Sequence, residues 1–278
     1  MTGSTSRKAP SPVVIALTAV LFVLVPLLTW QQTWFGRKLS DAQEERYLQD
    51  NQHPRRIQHA LSQLSDRILR GDSTARKFYP RVTTLAHHPA SPIRVMAAWV
   101  FGQDSSSALF HQTLLDLLHD PEPMVRRNAA LSLVRFQDAS GRPELLEMLG
   151  ACQLRSPVAG RVTLPVAPRE SVGAGKLLAR VIPDEGGPVE IRSPFPGEVA
   201  GVLARDGSRI DREQPLVSIY SEADQVFEAL RGLYLIGRAE DLGAVEHYAV
   251  VSAPDLVRRQ AELTARAIRA RWEPNPNR

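Results

Sequence analysis

A single cysteine, Cys152, occurs in the 278 residues, so an intramolecular disulfide is excluded. With one thiol and no histidine near it, nucleophilic catalysis has no base to draw on. Histidine is absent between His119 and His247. His87 and His88 are adjacent, which prevents their facing the same way on a helix, and neither cysteine nor a carboxylate cluster accompanies them. The chain also lacks a cofactor fingerprint, paired carboxylates placed for acid–base work, and any nucleophile beside a base. These absences predict a non-enzymatic chain with no cofactor, no metal and no small-molecule substrate.

Net charge of one sign is also missing, although the formal +4 and the pI near 9.5 suggest otherwise. Arg7, Lys8, Arg37 and Lys38 account for the whole excess, and the remaining 240 residues hold 30 basic against 30 acidic side chains. Binding to nucleic acid needs a concentrated basic face. The one candidate is the last helix, with Arg258, Arg259, Arg266, Arg269 and Arg271. Glu262 there lies at helical spacing from Arg258 and Arg266, so the face reads as solvated and no nucleic-acid partner is expected.

No charged residue occurs between Ala9 and Gly36, and Val13 to Leu28 contains 12 of Val, Ile, Leu or Phe. At roughly −0.3 to −0.6 kcal/mol each, these favour insertion into a bilayer by about 4 to 7 kcal/mol. Trp30 and Trp34 suit an interface belt, and Pro26 suits a kink in the span. No small-x-small cleavage site follows Leu28, which favours an anchor over a cleaved signal peptide. The expectation is a tail over 1–11, a transmembrane anchor over 12–35 and a juxtamembrane segment over 36–56. The chain would be single-pass in a bacterial-type cytoplasmic membrane, with its C-terminal bulk periplasmic or otherwise extracytoplasmic.

Beyond the anchor the chain repeats itself. A shift of 32 places superimposes Pro89, Ile93, Arg94, Ala97 and Ala98 on Pro121, Val125, Arg126, Ala129 and Ala130. A third copy begins at Pro254, where Val257, Arg258, Arg259, Gln260 and Ala261 match Val125, Arg126, Arg127, Asn128 and Ala129. Proline suits a first helical turn, and the Ala pair allows close helix packing. Partner helices are predicted over about 108–119, 141–149 and 224–237 from their apolar spacing. The pattern resembles the second helix of HEAT repeats, which implies a short α-solenoid over 57–152 that resumes over 223–272, before a C-terminal tail over 273–278. HEAT units often carry Asp before the Val-Arg step. Asp120 stands there in one unit but His88 and Ser252 in the others, which puts a continuous Asp–Arg ladder in question.

Between the two helical stretches, residues 153–222 contain a duplication of their own. Arg155, Ser156, Pro157, Val158, Ala159, Gly160, Arg161 and Val162 recur 37 positions later as Arg192, Ser193, Pro194, Phe195, Pro196, Gly197, Glu198 and Val199. A Ser-Pro step forces an extended entry, Gly makes the turn and a β-rich run follows. Such half-motifs bury their apolar faces only by sandwiching against each other. The segment resembles the biotinyl/lipoyl-type barrel-sandwich domain, also found in periplasmic adaptors of efflux pumps and secretion systems. In the carrier version a Lys sits at the joint between halves. Here the joint over 182–190 has none, and Lys176 lies inside the first half, so a covalent carrier is disfavoured. The long helical hairpin of efflux adaptors is missing as well. Zinc peptidases of the lysostaphin type share duplicated β motifs but need histidine ligands that this stretch lacks.

The expected fold class is therefore α + β multidomain: a single transmembrane helix and a short α-solenoid of HEAT-like helix pairs, interrupted by an all-β barrel-sandwich domain. The expected function is a membrane-anchored scaffold that recruits other proteins, subunits of a membrane complex for transport or secretion. The alternative is an accessory or lyase-like HEAT-repeat component of an enzyme. Solenoids bind other chains through extended faces. The predicted partner contacts are Arg94, Arg126, Arg127, Arg258 and Arg259, with exposed turns at Pro157, Gly160, Pro194 and Gly197 that shape the insert.

Overall fold

The computed structural model describes Phe22 and residues 38–250 and 253–272. The chain divides into two compact units, Met1–Leu64 and Ser65–Arg278. In the first, helix α1 (Asp41–Leu48) starts at a capping box in which Ser40 and Gln43 satisfy each other's backbone N–H groups. Helix α2 (Pro54–Leu69) follows. The side chain of Gln63 accepts a hydrogen bond from the Leu39 backbone N–H at 2.8 Å, tying the segment before α1 to α2.

The second unit opens with α3 (Tyr79–Thr83), α4 (Ser91–Phe101), α5 (Ala108–Leu117), α6 (Pro123–Arg135) and α7 (Arg142–Leu149). Eight strands come next: β1 (Ala151–Arg155), β2 (Gly160–Thr163), β3 (Ser171–Val172), β4 (Leu177–Ile182), β5 (Val189–Arg192), β6 (Gly197–Val202), β7 (Arg209–Ile210) and β8 (Pro215–Ser221). Helices α8 (Ala223–Ile236), α9 (Leu242–Val250) and α10 (Asp255–Trp272) complete it. Helices α4 and α6 carry Pro in their first turn, where its missing N–H costs nothing.

The β segment interrupts one helix pair. Residues from α6 (Ala130, Val134), α7 (Leu145, Met148), α8 (Leu230, Leu233), α9 (Val245) and α10 (Val257, Ala261) share a single buried cluster, so the helical core runs continuously past the insert. Two hydrogen bonds fix the register of the inner helices. Ser132 on α6 donates to the Ala98 carbonyl on α4 at 2.8 Å, and Thr264 on α10 donates to the Leu230 carbonyl on α8 at 2.9 Å. Helix α8 therefore occupies the place of a second helix with α7 as its first. Strands β1 and β8 pair antiparallel with Ala151 opposite Tyr220, so the insert leaves and re-enters the solenoid at Cα atoms about 5 Å apart. Replacing residues 153–222 by a short Gly/Ser linker is accordingly expected to leave a helical protein that melts in one cooperative step. Circular dichroism melts check this, and loss of the helical signal would mean that the two parts share one core.

Within the insert the strand orders are β1-β8-β6-β3 and β5-β4-β2-β7. The sequence duplication pairs β1 with β5, β2 with β6, β3 with β7 and β4 with β8, so it converts one sheet order into the other. The correspondence extends to single hydrogen bonds. Glu213 N–H donates to the Ser156 carbonyl and Gly175 N–H to the Ser193 carbonyl, both at 2.7 Å; Gly207 N–H donates to Val162 and Arg169 N–H to Val199, both at 2.8 Å. A Cβ added at Gly160 would strike the Ile182 carbonyl and one at Gly197 the Tyr220 carbonyl, so both half-motif glycines are fixed by close backbone approach. Val162, Val199, Leu178, Leu216, Val181 and Ile219 close the core between the sheets.

Two expectations are corrected here. The insert is a pair of open antiparallel sheets with no closed barrel, because edge strands β3 and β7 have only two residues each and cannot carry pairing further. The single transmembrane helix is withdrawn from the fold class, and with it the single-pass membrane localisation. Among the described residues no helix is long and apolar enough to cross a membrane. A span needs about 20 apolar residues; α10, the longest described helix, has 18 and carries seven charged side chains from Asp255 to Arg271. The stretch over 12–35 that suggested the anchor lies outside the described residues, apart from Phe22, which is helical and exposed.

Candidate partner-binding groove

The arginines singled out by the repeat pattern fall into three different environments. Arg94 donates from Nε and Nη2 to the two carboxylate oxygens of Asp120 at 2.7 and 2.8 Å, and from Nη1 to the carbonyl of His88 at 2.9 Å. Arg126 repeats the arrangement one unit on, reaching the Asp120 carbonyl at 3.0 Å and the Glu144 carboxylate at 3.0 Å. A ladder therefore runs from His88 to Glu144 even though the acid changes place and identity. Burial alone would raise the Asp120 carboxyl, but hydrogen bonds from Arg94 and the Glu122 N–H outweigh it and hold the group below its ordinary value. These two arginines join neighbouring helix pairs, and their donors are used internally.

Arg127 sits where the solenoid meets the insert. It is 3% exposed, its guanidinium carbon lies 3.6 Å from the centre of the Phe195 ring, and it donates to the side chain of Gln225 on α8. Glu144 approaches its Nε at 3.9 Å, beyond hydrogen-bond reach. Burial lowers the affinity of this guanidinium for its proton, and the same environment raises the half-buried Cys152 thiol. Phe195 is fully buried, so the second half-motif turn, Pro194 to Gly197, is the insert's seat on α6 and not an exposed bend. In the first turn Pro157 is exposed and Gly160 buried, and the buried Ser156 donates to the Val158 carbonyl at 2.5 Å.

Arg258 and Arg259 lie at the surface of α10. Arg258 pairs with Asp255 at 2.6 Å, one turn back, and Arg259 is exposed. The spacing to Glu262 suggested a different pairing, but Arg266 meets the backbone carbonyl of Glu262 and Arg269 pairs with Glu246 at 2.5 Å.

A second ladder stands at the opposite turns. Asp104 and Asp138 each accept a backbone N–H two residues on, from Ser106 at 3.0 Å and Ser140 at 2.7 Å. Each also meets a first-helix side chain of its unit: Tyr79 at 2.9 Å and His111 at 2.7 Å respectively. Arg142, 31 residues beyond His111 where His111 lies 32 beyond Tyr79, grips Asp241 across the insert. The Asp104 and Asp138 carboxyls lie below their ordinary value, since these hydrogen bonds exceed the upward push of burial.

The inner helices α4, α6, α8 and α10 enclose a groove of about 950 Å³. Its lining follows the repeat register. Five residues beyond Arg94, Arg126 and Arg258 stand Trp99, Leu131 and Leu263, and the corresponding place on α8 is Arg231. Leu69, Tyr234 and Leu235 extend the apolar surface, while Asn128, Gln103 and Gln260 supply amides. Glu228 neutralises Arg231 at 3.0 Å, and Arg135 donates to the Gly102 carbonyl at 3.2 Å. An apolar floor with a few amides and no uncompensated carboxylate is suited to an apolar segment of another chain. Sequence reasoning missed this groove. Its signal was the position five residues after each arginine, hidden by the change from Trp to Leu to Arg.

Comparison with known families agrees with the repeat geometry. A protein-family model described as HEAT repeats matches residues 80–157. Residues 80–157 are HEAT repeats. The match runs from α3 through α7 and ends within the first half-motif of the insert. No curated protein matches the chain. HEAT repeats generally mediate protein–protein interaction, so a scaffold role is the reading that the repeats carry.

Proposed function

We propose that this chain is a non-enzymatic scaffold whose solenoid groove receives an apolar segment of a partner protein. The observation that carries the reading is the row Trp99, Leu131 and Leu263, which lines the groove from one repeat position on three inner helices, with Trp99 and Leu263 exposed and Leu131 half-buried. Trp99 and Leu263 leave much of their apolar surface outside the core, and aromatic and aliphatic anchors in a concave surface are what partner recognition uses.

The insert supports an adaptor within this reading. Its two mutually exchanged sheets agree with the resemblance to biotinyl/lipoyl-type domains, and the β4–β5 joint over 183–188 has no Lys to carry a prosthetic group. The setting in a transport or secretion complex rests on that resemblance alone. To test the groove, a photo-crosslinking residue is placed at Trp99 in the full chain and the products are compared with those of Leu235→Glu/Leu263→Glu. Both leucines are exposed, so melting is expected to change little. The partner captured by the parent is expected to bind the double variant at least tenfold more weakly, a loss of about 1.4 kcal/mol or more. Capture of the same partner with undiminished affinity sinks the groove as its site.

A further inference from the structure

The duplicated insert contains its own control experiment. Its two sheets share order, register and turn hydrogen bonds, yet their outer faces differ. Arg161, Arg180 and Arg209 on the second sheet are exposed, and their counterparts on the first are Glu198, Ser218 and Ser171. The first sheet forms the same ladder without arginine at those places, so the fold does not require it. Arg192 differs from the other three: its Nη1 donates to the Gly175 carbonyl at 2.8 Å as Arg155 donates to Glu213 at 2.9 Å, a structural bond kept in both halves.

We propose that the outer face of the β5-β4-β2-β7 sheet docks an acidic segment of a protein partner, separately from the groove of the solenoid. Four arginines project from it, and two carboxylates pair with them directly while Asp211 acts on Arg209 from farther off. Glu190 is shared by Arg180 at 2.8 Å and Arg192 at 2.5 Å, and the largely exposed Asp184 pairs with Arg209. Arg161 stands directly opposite Arg209 in the β2–β7 register, an arrangement of like charges that destabilises an isolated sheet. Arg161 makes a single bond, to the Gly207 carbonyl at 2.7 Å, and its remaining donors face outward. Arg209 already holds Asp184 with both Nη groups, so an incoming carboxylate meets the free fork of Arg161 and relieves its repulsion with Arg209.

The same geometry selects protein over nucleic acid. Glu190 and Asp184 lie among the arginines, so a continuous run of phosphates meets like charge wherever it is laid, while spaced carboxylates can fall between them. Ile182, 52% exposed and opposite Arg161 in the β2–β4 register, adds an apolar contact at the centre of the face. The fitting segment alternates acidic and aliphatic residues.

The test uses the full chain and a fluorescent peptide of alternating Asp and Leu, followed by anisotropy at low and at physiological salt. Arg161→Ser/Arg180→Ser/Arg209→Ser takes side chains no larger than those the other half uses at two of these positions. Arg155→Ser/Arg169→Ser/Arg212→Ser removes the same charge elsewhere on the insert. The first variant is expected to lose at least tenfold in affinity and the second less than threefold, with Lys at the three positions recovering part of the loss. Equal losses in both, no binding of the peptide to the parent, or tighter binding of single-stranded DNA or anionic vesicles through the same arginines overturns the proposal. Unchanged peptide affinity in Leu235→Glu/Leu263→Glu keeps this face distinct from the groove.

Discussion

Arg142→Ala is expected to destabilise the protein by roughly 3 to 5 kcal/mol, the range for removing one partner of a buried ion pair. Asp241 is 1% exposed and takes Arg142 Nε at 2.8 Å and Nη2 at 2.7 Å, with its second oxygen also capping the Arg238 N–H at 2.7 Å. Without the guanidinium, a carboxylate is left in the interior with one backbone donor. The pair joins α7 to the turn before α9, 99 residues apart in sequence, so it closes the solenoid around the insert. Adding Asp241→Asn to Arg142→Ala keeps an acceptor for the cap and removes the stranded charge, so more than half of the loss should return. Denaturant melts of the two variants decide the matter: if the double variant is no more stable than the single one, the cost lies in packing of the Arg142 stem and not in the stranded charge.

The pair is one rung of the second ladder, and that ladder explains what sequence could and could not show. The 32-residue shift carried identical residue types, Arg94 with Arg126 and Ala97 with Ala129, and could be read directly. The duplication from Arg155 to Val199 was equally plain and implied two half-motifs packed against each other; that each strand's copy lies in the opposite sheet became visible only in the strand orders. The second ladder keeps its aspartates, but the side chain that meets them changes from Tyr79 to His111 to Arg142. What is preserved there is a hydrogen-bond donor at one place on the first helix, and donors of three chemical types share no letter. The exposed-turn reading of Phe195 failed for a related reason. Phe195 is buried in the core between the insert's sheets and covered by Arg127 from α6, contacts with other elements that short-range turn signals cannot register.

Of the five arginines that the repeat pattern offered as partner contacts, Arg94, Arg126 and Arg127 are turned to internal partners, while Arg258 and Arg259 stay at the surface of α10. Arg94, Arg126 and Arg127 spend their donors on neighbouring units or on the insert, so their charge is not presented outward. Helices α4, α6, α8 and α10 stack through small residues at their contacts, and the bulkier residues one register position away are displaced toward the groove. Tight helix packing and an open inner face are thus two results of one pattern, small residues where helices meet and large ones beside them.

Ala130→Leu is the sharpest probe of that pattern and should cost about 3 kcal/mol, at the upper end for overpacking. Ala130 is fully buried, and a Cβ built on Gly141 would come within 2.6 Å of the Ala130 Cα and 2.8 Å of its Cβ. The turn before α7 therefore lies directly against α6, with no volume for three more carbon atoms. Strain relief would have to move α7, and α7 holds Leu145 and Met148 in the core shared with α8, besides bearing Arg142. Leu263→Ala, at an exposed groove position, is expected to change stability by about 0.5 kcal/mol or less while weakening the captured partner. Urea melts and partner titrations on the two variants separate core from groove. A Leu263→Ala loss as large as that of Ala130→Leu would place Leu263 in the packed interior and break the register on which the groove is built.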